Sequence, residues 1–124
     1  MANKVRKPKS FGIWGNTDKP RFWELLGSIM AWAVENNLTP FLTTRVQSQL
    51  PETFNHTFRI IESAEDFYQI DFLLTLGGDG TMLSAARAVG HRKTPILGIH
   101  LGELGFMAEV TVDEMFDRLN MVAS

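Results

Sequence analysis

A chain of 124 residues, 44% hydrophobic and 21% charged, is long and apolar enough to bury one core, so a single folded domain is the first expectation. Its formal net charge of −2 excludes the basic field that a duplex-DNA binder uses to neutralise phosphates, and nucleic acid is set aside as a primary partner. Cysteine is absent, which removes disulfides and cysteine-held zinc; no apolar run reaches the roughly 18 residues of a membrane span, and the basic residues 1–10 lack the apolar stretch of a secretory signal. A disordered tail over 1–10, followed by a soluble domain suited to the cytoplasm and bound to no membrane, is the reading these numbers allow.

Residues 11–14 are a short apolar segment, followed by Gly15, Asn16, Thr17 and Asp18, turn formers that offer a helix cap ahead of Pro20. The spacing of Phe22, Leu25, Leu26, Ile29 and Ala33 predicts a helix with one buried stripe that ends near Asn36 and Asn37; Trp23 and Trp32 fall off that stripe and receive no place. Residues 38–44 are apolar and β-branched, with Pro40 near the start, and read as a strand. Residues 45–57 carry no clear period and are expected to be a flexible loop, while 63–68 suit one capped helical turn.

Phe72, Leu73, Leu74, Thr75 and Leu76 run without polar alternation, as in a strand covered on both faces of a parallel sheet. Helical spacing resumes at Met82, Ala85, Ala86 and Val89, with Gly90 as terminator. Residues 95–99 read as another short buried strand, and a glycine-rich stretch continues through Gly105. Thr111 and Glu114 have capping-box spacing ahead of a helix whose apolar face is Val112, Met115, Phe116 and Leu119. This alternation predicts an α/β domain over 11–124, with a mainly parallel sheet and helices on both faces.

The turn Gly77-Gly78-Asp79-Gly80-Thr81 joins the most apolar strand directly to a helix. Ligands of open α/β sheets sit beyond the carboxyl ends of strands, where this turn must lie. Glycines allow close approach to the backbone, and the amides of Gly78, Gly80 and the first helical turn can face phosphate oxygens, helped by the helix dipole. A carboxylate opposes that attraction, so Asp79 has either a chemical task or a structural one, in which Asp79 or Thr81 caps the helix. No Gly-Lys-Ser/Thr follows, and Leu83 stands where a Rossmann fingerprint has its third glycine, so neither the Walker loop nor that fingerprint is present.

The turn resembles the signature shared by NAD kinases, diacylglycerol and sphingosine kinases and, with serine for threonine, phosphofructokinases. The segment Gly98-Ile99-His100-Leu101-Gly102-Glu103-Leu104-Gly105-Phe106 resembles the second glycine-rich motif of NAD kinases in particular, and residues 11–16 are similar to that family's first strand and loop. The chain departs from the commoner pattern at His100, where many members have asparagine, and at Ser84, where many have arginine.

The resemblance implies a Rossmann-like fold, similar to the N-terminal domain of NAD kinase and to phosphofructokinase-like folds. It implies phosphoryl transfer from ATP or polyphosphate to the 2′-hydroxyl of the adenosine ribose of NAD, with a divalent ion, Mg²⁺, accompanying the donor. Asp79, ionised in solvent at neutral pH, would orient and activate that hydroxyl. Gly77, Gly78, Gly80 and Thr81 would hold the nucleotide, Phe106 would lie against NAD, and His100 either contacts a phosphate or is a satisfied structural histidine. Arg87, Arg92 and Lys93 are read as solvated or capping charges, with triphosphate contact as the alternative. His56, His91 and His100 lack the close spacing of a zinc site, so no protein metal site is assigned.

In this family a second, β-rich domain completes the NAD site, usually in a homo-oligomer. The chain is therefore expected to be the N-terminal half of such an enzyme, with little activity alone. A lipid kinase domain and a non-catalytic nucleotide-binding module are the alternatives; donor preference is not legible.

Overall fold

The apolar segment at the start of the sequence forms strand β1 (Ser10–Gly15), which a loop joins to helix α1 (Pro20–Glu35). The following elements are β2 (Thr39–Thr43), α2 (Thr44–Ser48), β3 (Arg59–Ile61), a 3-10 helix (Ala64–Gln69), β4 (Phe72–Gly77), α3 (Asp79–Val89), β5 (Ile96–His100) and α4 (Val112–Ala123). A computed structural model describes residues 7–101 and 112–123, the side chain of Val112 excepted. The strands form one five-stranded sheet in the order β3-β2-β1-β4-β5, and every pairing is parallel. The α/β class and the helices on both faces are as the sequence predicts.

Why the helices divide between the faces follows from handedness. From the centre of the sheet, β1 to β2 steps one way and β4 to β5 steps the other. Right-handed crossovers then put α1 and α3 on opposite faces. One core cluster joins Phe22, Leu26 and Ile29 of α1 to Phe11, Ile13 and Leu74 of the sheet and to Met115 and Leu119 of α4. The other joins Ala85 and Val89 of α3 to Leu73, Phe41 and Phe67. Strand β4 lies between β1 and β5 and is buried along its whole length, which is why its sequence shows no alternation.

Five local expectations change. The tail expected over 1–10 does not include Ser10, which opens β1, is buried and donates from Oγ to the Gln69 carbonyl at 2.6 Å. The cluster 15–18 does not cap α1: Lys19 is the N-cap and makes no side-chain bond, while Asn16 Oδ1 accepts from the Asp18 N–H at 3.0 Å and closes the loop ahead of Pro20. Residues 45–57 are not a featureless loop. Helix α2 occupies their start, with Thr43 Oγ1 accepting from the Val46 N–H at 3.2 Å, and Leu50 and Phe54 pack on the first cluster. Strand β3 extends the sheet edge where no element was assigned. Lastly, Ala86 is exposed, so the buried side of α3 rests on Ala85 and Val89.

The capped turn expected at 63–68 is the 3-10 helix, whose Asp66 carboxylate reaches back to the amides of Glu62 at 2.7 Å and Ser63 at 3.2 Å. Trp32 also finds its place. It is buried, meets Phe11 edge-on at 5.8 Å between centroids, and donates from Nε1 to Asn120 Oδ1 of α4 at 2.8 Å. Thr111 of the expected capping box lies outside the described residues.

Candidate active site

Where the chain reverses its direction of stepping, between β1 and β4, the segments leaving the carboxyl ends of the two strands diverge and leave a crevice. The glycine turn stands there. Strand β4 ends at Gly77, Gly78 is the extended N-cap of α3, and Asp79 is already its first helical residue. Neither Asp79 nor Thr81 is the N-cap; Asp79 stands in the first turn, where a carboxylate faces the positive end of the helix dipole. Asp79 and Gly80 are exposed, Gly78 and Thr81 are partly buried and Gly77 is buried.

Local sterics explain the first glycine. A Cβ at Gly77 would lie 2.3 Å from Thr81 Oγ1 and 2.7 Å from Thr81 Cβ, because the first turn of α3 folds back over the strand end. Only a residue without a side chain lets helix and strand meet this closely. The Met82 N–H donates to the Gly78 carbonyl at 3.1 Å, the first bond of the helix. The amides of Asp79, Gly80 and Thr81 precede it and have no acceptor within the helix. They form the positive end of an eleven-residue dipole beside an exposed carboxylate.

Gly80 and Thr81 of this helix start rim a cleft of about 740 Å³, whereas Gly77, Gly78, Asp79 and His100 are not among its lining residues. Its other rims are the β1–α1 loop at Asn16, Thr17 and Asp18, the end of β2 at Thr43 with Thr44 and Arg45, and the segment after β3. The loop is held from several sides. The Asn16 N–H donates to the Leu76 carbonyl at 2.9 Å, Trp23 Nε1 donates to the Thr17 carbonyl at 2.9 Å, and Gln49 Nε2 donates to Thr17 Oγ1 at 3.1 Å. Trp23, unplaced by periodicity, thus braces the cleft rim.

His100 ends β5 in register with Gly77, and the next residue, Leu101, donates its N–H to the Gly77 carbonyl at 3.0 Å. His100 Nδ1 is buried with no hydrogen-bond partner among the described residues. Arg87 is exposed in the last turn of α3 and does not line the cleft. Arg92 is engaged elsewhere, 3.1 Å from Glu65 and over the Tyr68 ring at 5.5 Å. Phe106 and residues 102–105 lie outside the described residues.

Sequence reasoning missed Trp14, Thr17, Arg45 and Ser84 as cleft residues. Each is at or just beyond the carboxyl end of a strand, or one turn into the helix that follows it; applying that placement rule to every strand, and not only to the glycine turn, finds them. Among the described residues no group of three or more His, Asp or Glu could hold a metal ion by itself, and no helix is long and apolar enough to cross a membrane.

Residues 11–124 match the family described as the ATP-NAD kinase N-terminal domain. The chain is 34% identical over 111 residues to the NAD kinase of Geobacter metallireducens, covering 90% of this chain and 37% of that protein. It is 35% identical over 117 residues to the NAD kinase of Geobacter sulfurreducens, covering 94% and 39%. The crystal structure of yeast NADH kinase complexed with NADH superposes with a TM-score of 0.81 at 21% identity, over 94% of this chain and 36% of that one. The chain thus spans a little over a third of the relatives it matches.

Proposed function

Because the chain belongs to the ATP-NAD kinase N-terminal domain family, we propose that it is the phosphate-holding part of an enzyme that makes NADP from NAD. The observation that carries this reading is an exposed carboxylate, Asp79, on the first residue of α3, beside amides the helix leaves unbonded, at the switch point of a parallel sheet. Asp79 accepts a hydrogen bond from the 2′-hydroxyl of the adenosine ribose of NAD and sets its oxygen in line with the terminal phosphorus of ATP. That oxygen bonds to phosphorus as the bond to the bridging oxygen of ADP breaks, and the proton passes late to Asp79 and then to solvent. The amides of Gly78, Gly80 and Thr81 offset charge on the transferring group, and Arg45 adds a cation at the far rim.

No group of three or more His, Asp or Glu among the described residues could hold an ion by itself, so the chain fits a divalent ion as one that would arrive on the donor's phosphates. Such an ion, Mg²⁺ in this reading, neutralises phosphate charge when bound. The buried Nδ1 of His100, which has no partner among the described residues, supports a contact with a phosphate or with NAD, and Phe106 is proposed to lie against NAD. A cytoplasmic location, homo-oligomeric assembly and polyphosphate as an alternative donor belong to the same reading. So does low turnover by residues 1–124 alone. The turn by itself is shared with lipid kinases; the family matched over 11–124 favours NAD as the acceptor.

In the complete protein, Asp79→Asn is expected to lower kcat for NADP formation about 10²- to 10⁴-fold while leaving the KM for ATP little changed. Unimpaired turnover by the variant removes Asp79 from the chemistry.

A further inference from the structure

The cleft combines two kinds of lining: amides and hydroxyls at the start of α3 with the Arg45 guanidinium across from them, and the apolar side chains of Trp14, Ile61, Ala64, Phe67 and Ala88. The Trp14 ring packs on the second core cluster, 6.2 Å from the Phe67 ring and tilted by 39°. Its edge is pinned: Nε1 donates to Ser84 Oγ at 2.9 Å, and Ser84 Oγ donates to the Thr81 carbonyl at 3.0 Å. Two hydrogen bonds therefore link this indole to the helical turn whose free amides face the phosphate region. The wall of α3 above it is Gly80, Ser84 and Ala88, four residues apart and so on one side, which leaves width for a flat group.

On the nucleotide reading given above, we infer that Trp14 is the base-binding residue of this site, taking an adenine against its ring while the start of α3 takes the phosphates. A ring already fixed by Ser84 loses little freedom when a base stacks on it, so the stacking contributes to affinity with a small ordering cost. The indole and the amides also share Thr81, which fixes the base-to-phosphate offset of the ligand. Adenine is common to ATP and NAD, and the two are separated by titration.

The test is calorimetry of the complete protein and of its Trp14→Leu, Trp14→Phe and Ser84→Ala variants with ATP, NAD, adenosine and inorganic tripolyphosphate. Loss of the ring in Trp14→Leu is expected to weaken the adenine nucleotide about tenfold or more, and to leave tripolyphosphate within about twofold. Trp14→Phe and Ser84→Ala, which keep a ring but not its tether, fall between. Whichever of ATP and NAD shows this dependence is the source of the adenine. A reading independent of variant folding is the Trp14 indole N–H resonance of the unaltered protein, identified by its absence in Trp14→Phe, which should move on adding adenosine. An unmoved resonance, with ATP and NAD each binding Trp14→Leu as tightly as the unaltered protein, overturns the role of Trp14 and spares the nucleotide reading. If neither nucleotide nor tripolyphosphate binds the complete, unaltered protein, the nucleotide reading falls and takes the role of Trp14 with it.

Discussion

A methyl group tells the glycines of this site apart. At Gly77 it would strike Thr81 at 2.3 Å, and at Gly15 it would lie 1.8 Å from Cε1 of the fully buried Phe22 ring. Overpacking of this kind costs about 1–3 kcal/mol, so Gly77→Ala and Gly15→Ala should both lower the melting temperature. At Gly80 the same methyl meets nothing within 4 Å. Gly80→Ala should therefore leave stability unchanged or raise it by about 0.4–1 kcal/mol, through the smaller entropy of the unfolded chain. Because Gly80 lines the cleft, the added methyl should still weaken ATP binding. Thermal melts with and without ATP check both effects, and a Gly80→Ala protein that melts early contradicts the open helix start.

At the scale of elements, α4 depends on a bond that no local pattern announces. Trp32 Nε1 and Asn120 Oδ1, 2.8 Å apart, tie it to α1. Asn120→Ala removes the acceptor of the Trp32 indole in a groove that water can reach and should cost about 0.5–1.5 kcal/mol, read as faster amide exchange in α4 while β4 stays protected. The stripes of α1, α3 and α4 were legible because one face of each meets the sheet at helical period. Trp32 was not, since α4 covers a second side of α1 that exists only once both helices are docked. Strand β3, with three residues on the sheet edge, and α2, with five, are too short to show a period; Leu50 and Phe54 read as loop although both pack on the core.

For the whole molecule, the buried β4 and the glycine turn after it were enough to place Asp79 at an open sheet edge. Strand order was not legible, because continuous apolar runs in parallel strands name no neighbours. The order β3-β2-β1-β4-β5 is what brings the β1 loop and the end of β2 to the same crevice as α3, and so adds Thr17, Arg45 and Trp14 to the site. Arg87, by contrast, was near Asp79 in helical turns yet lies outside the cleft, since the helix turns it away.

A backbone amide shift map of the complete protein titrated with ATP tests directly whether the start of α3 holds phosphate. The largest changes are expected at residues 78–81 and 16–18, where free amides and a braced loop face each other across the cleft. Changes confined to the groove of about 510 Å³ beside Trp23 and His56, with 78–81 unmoved, would contradict it.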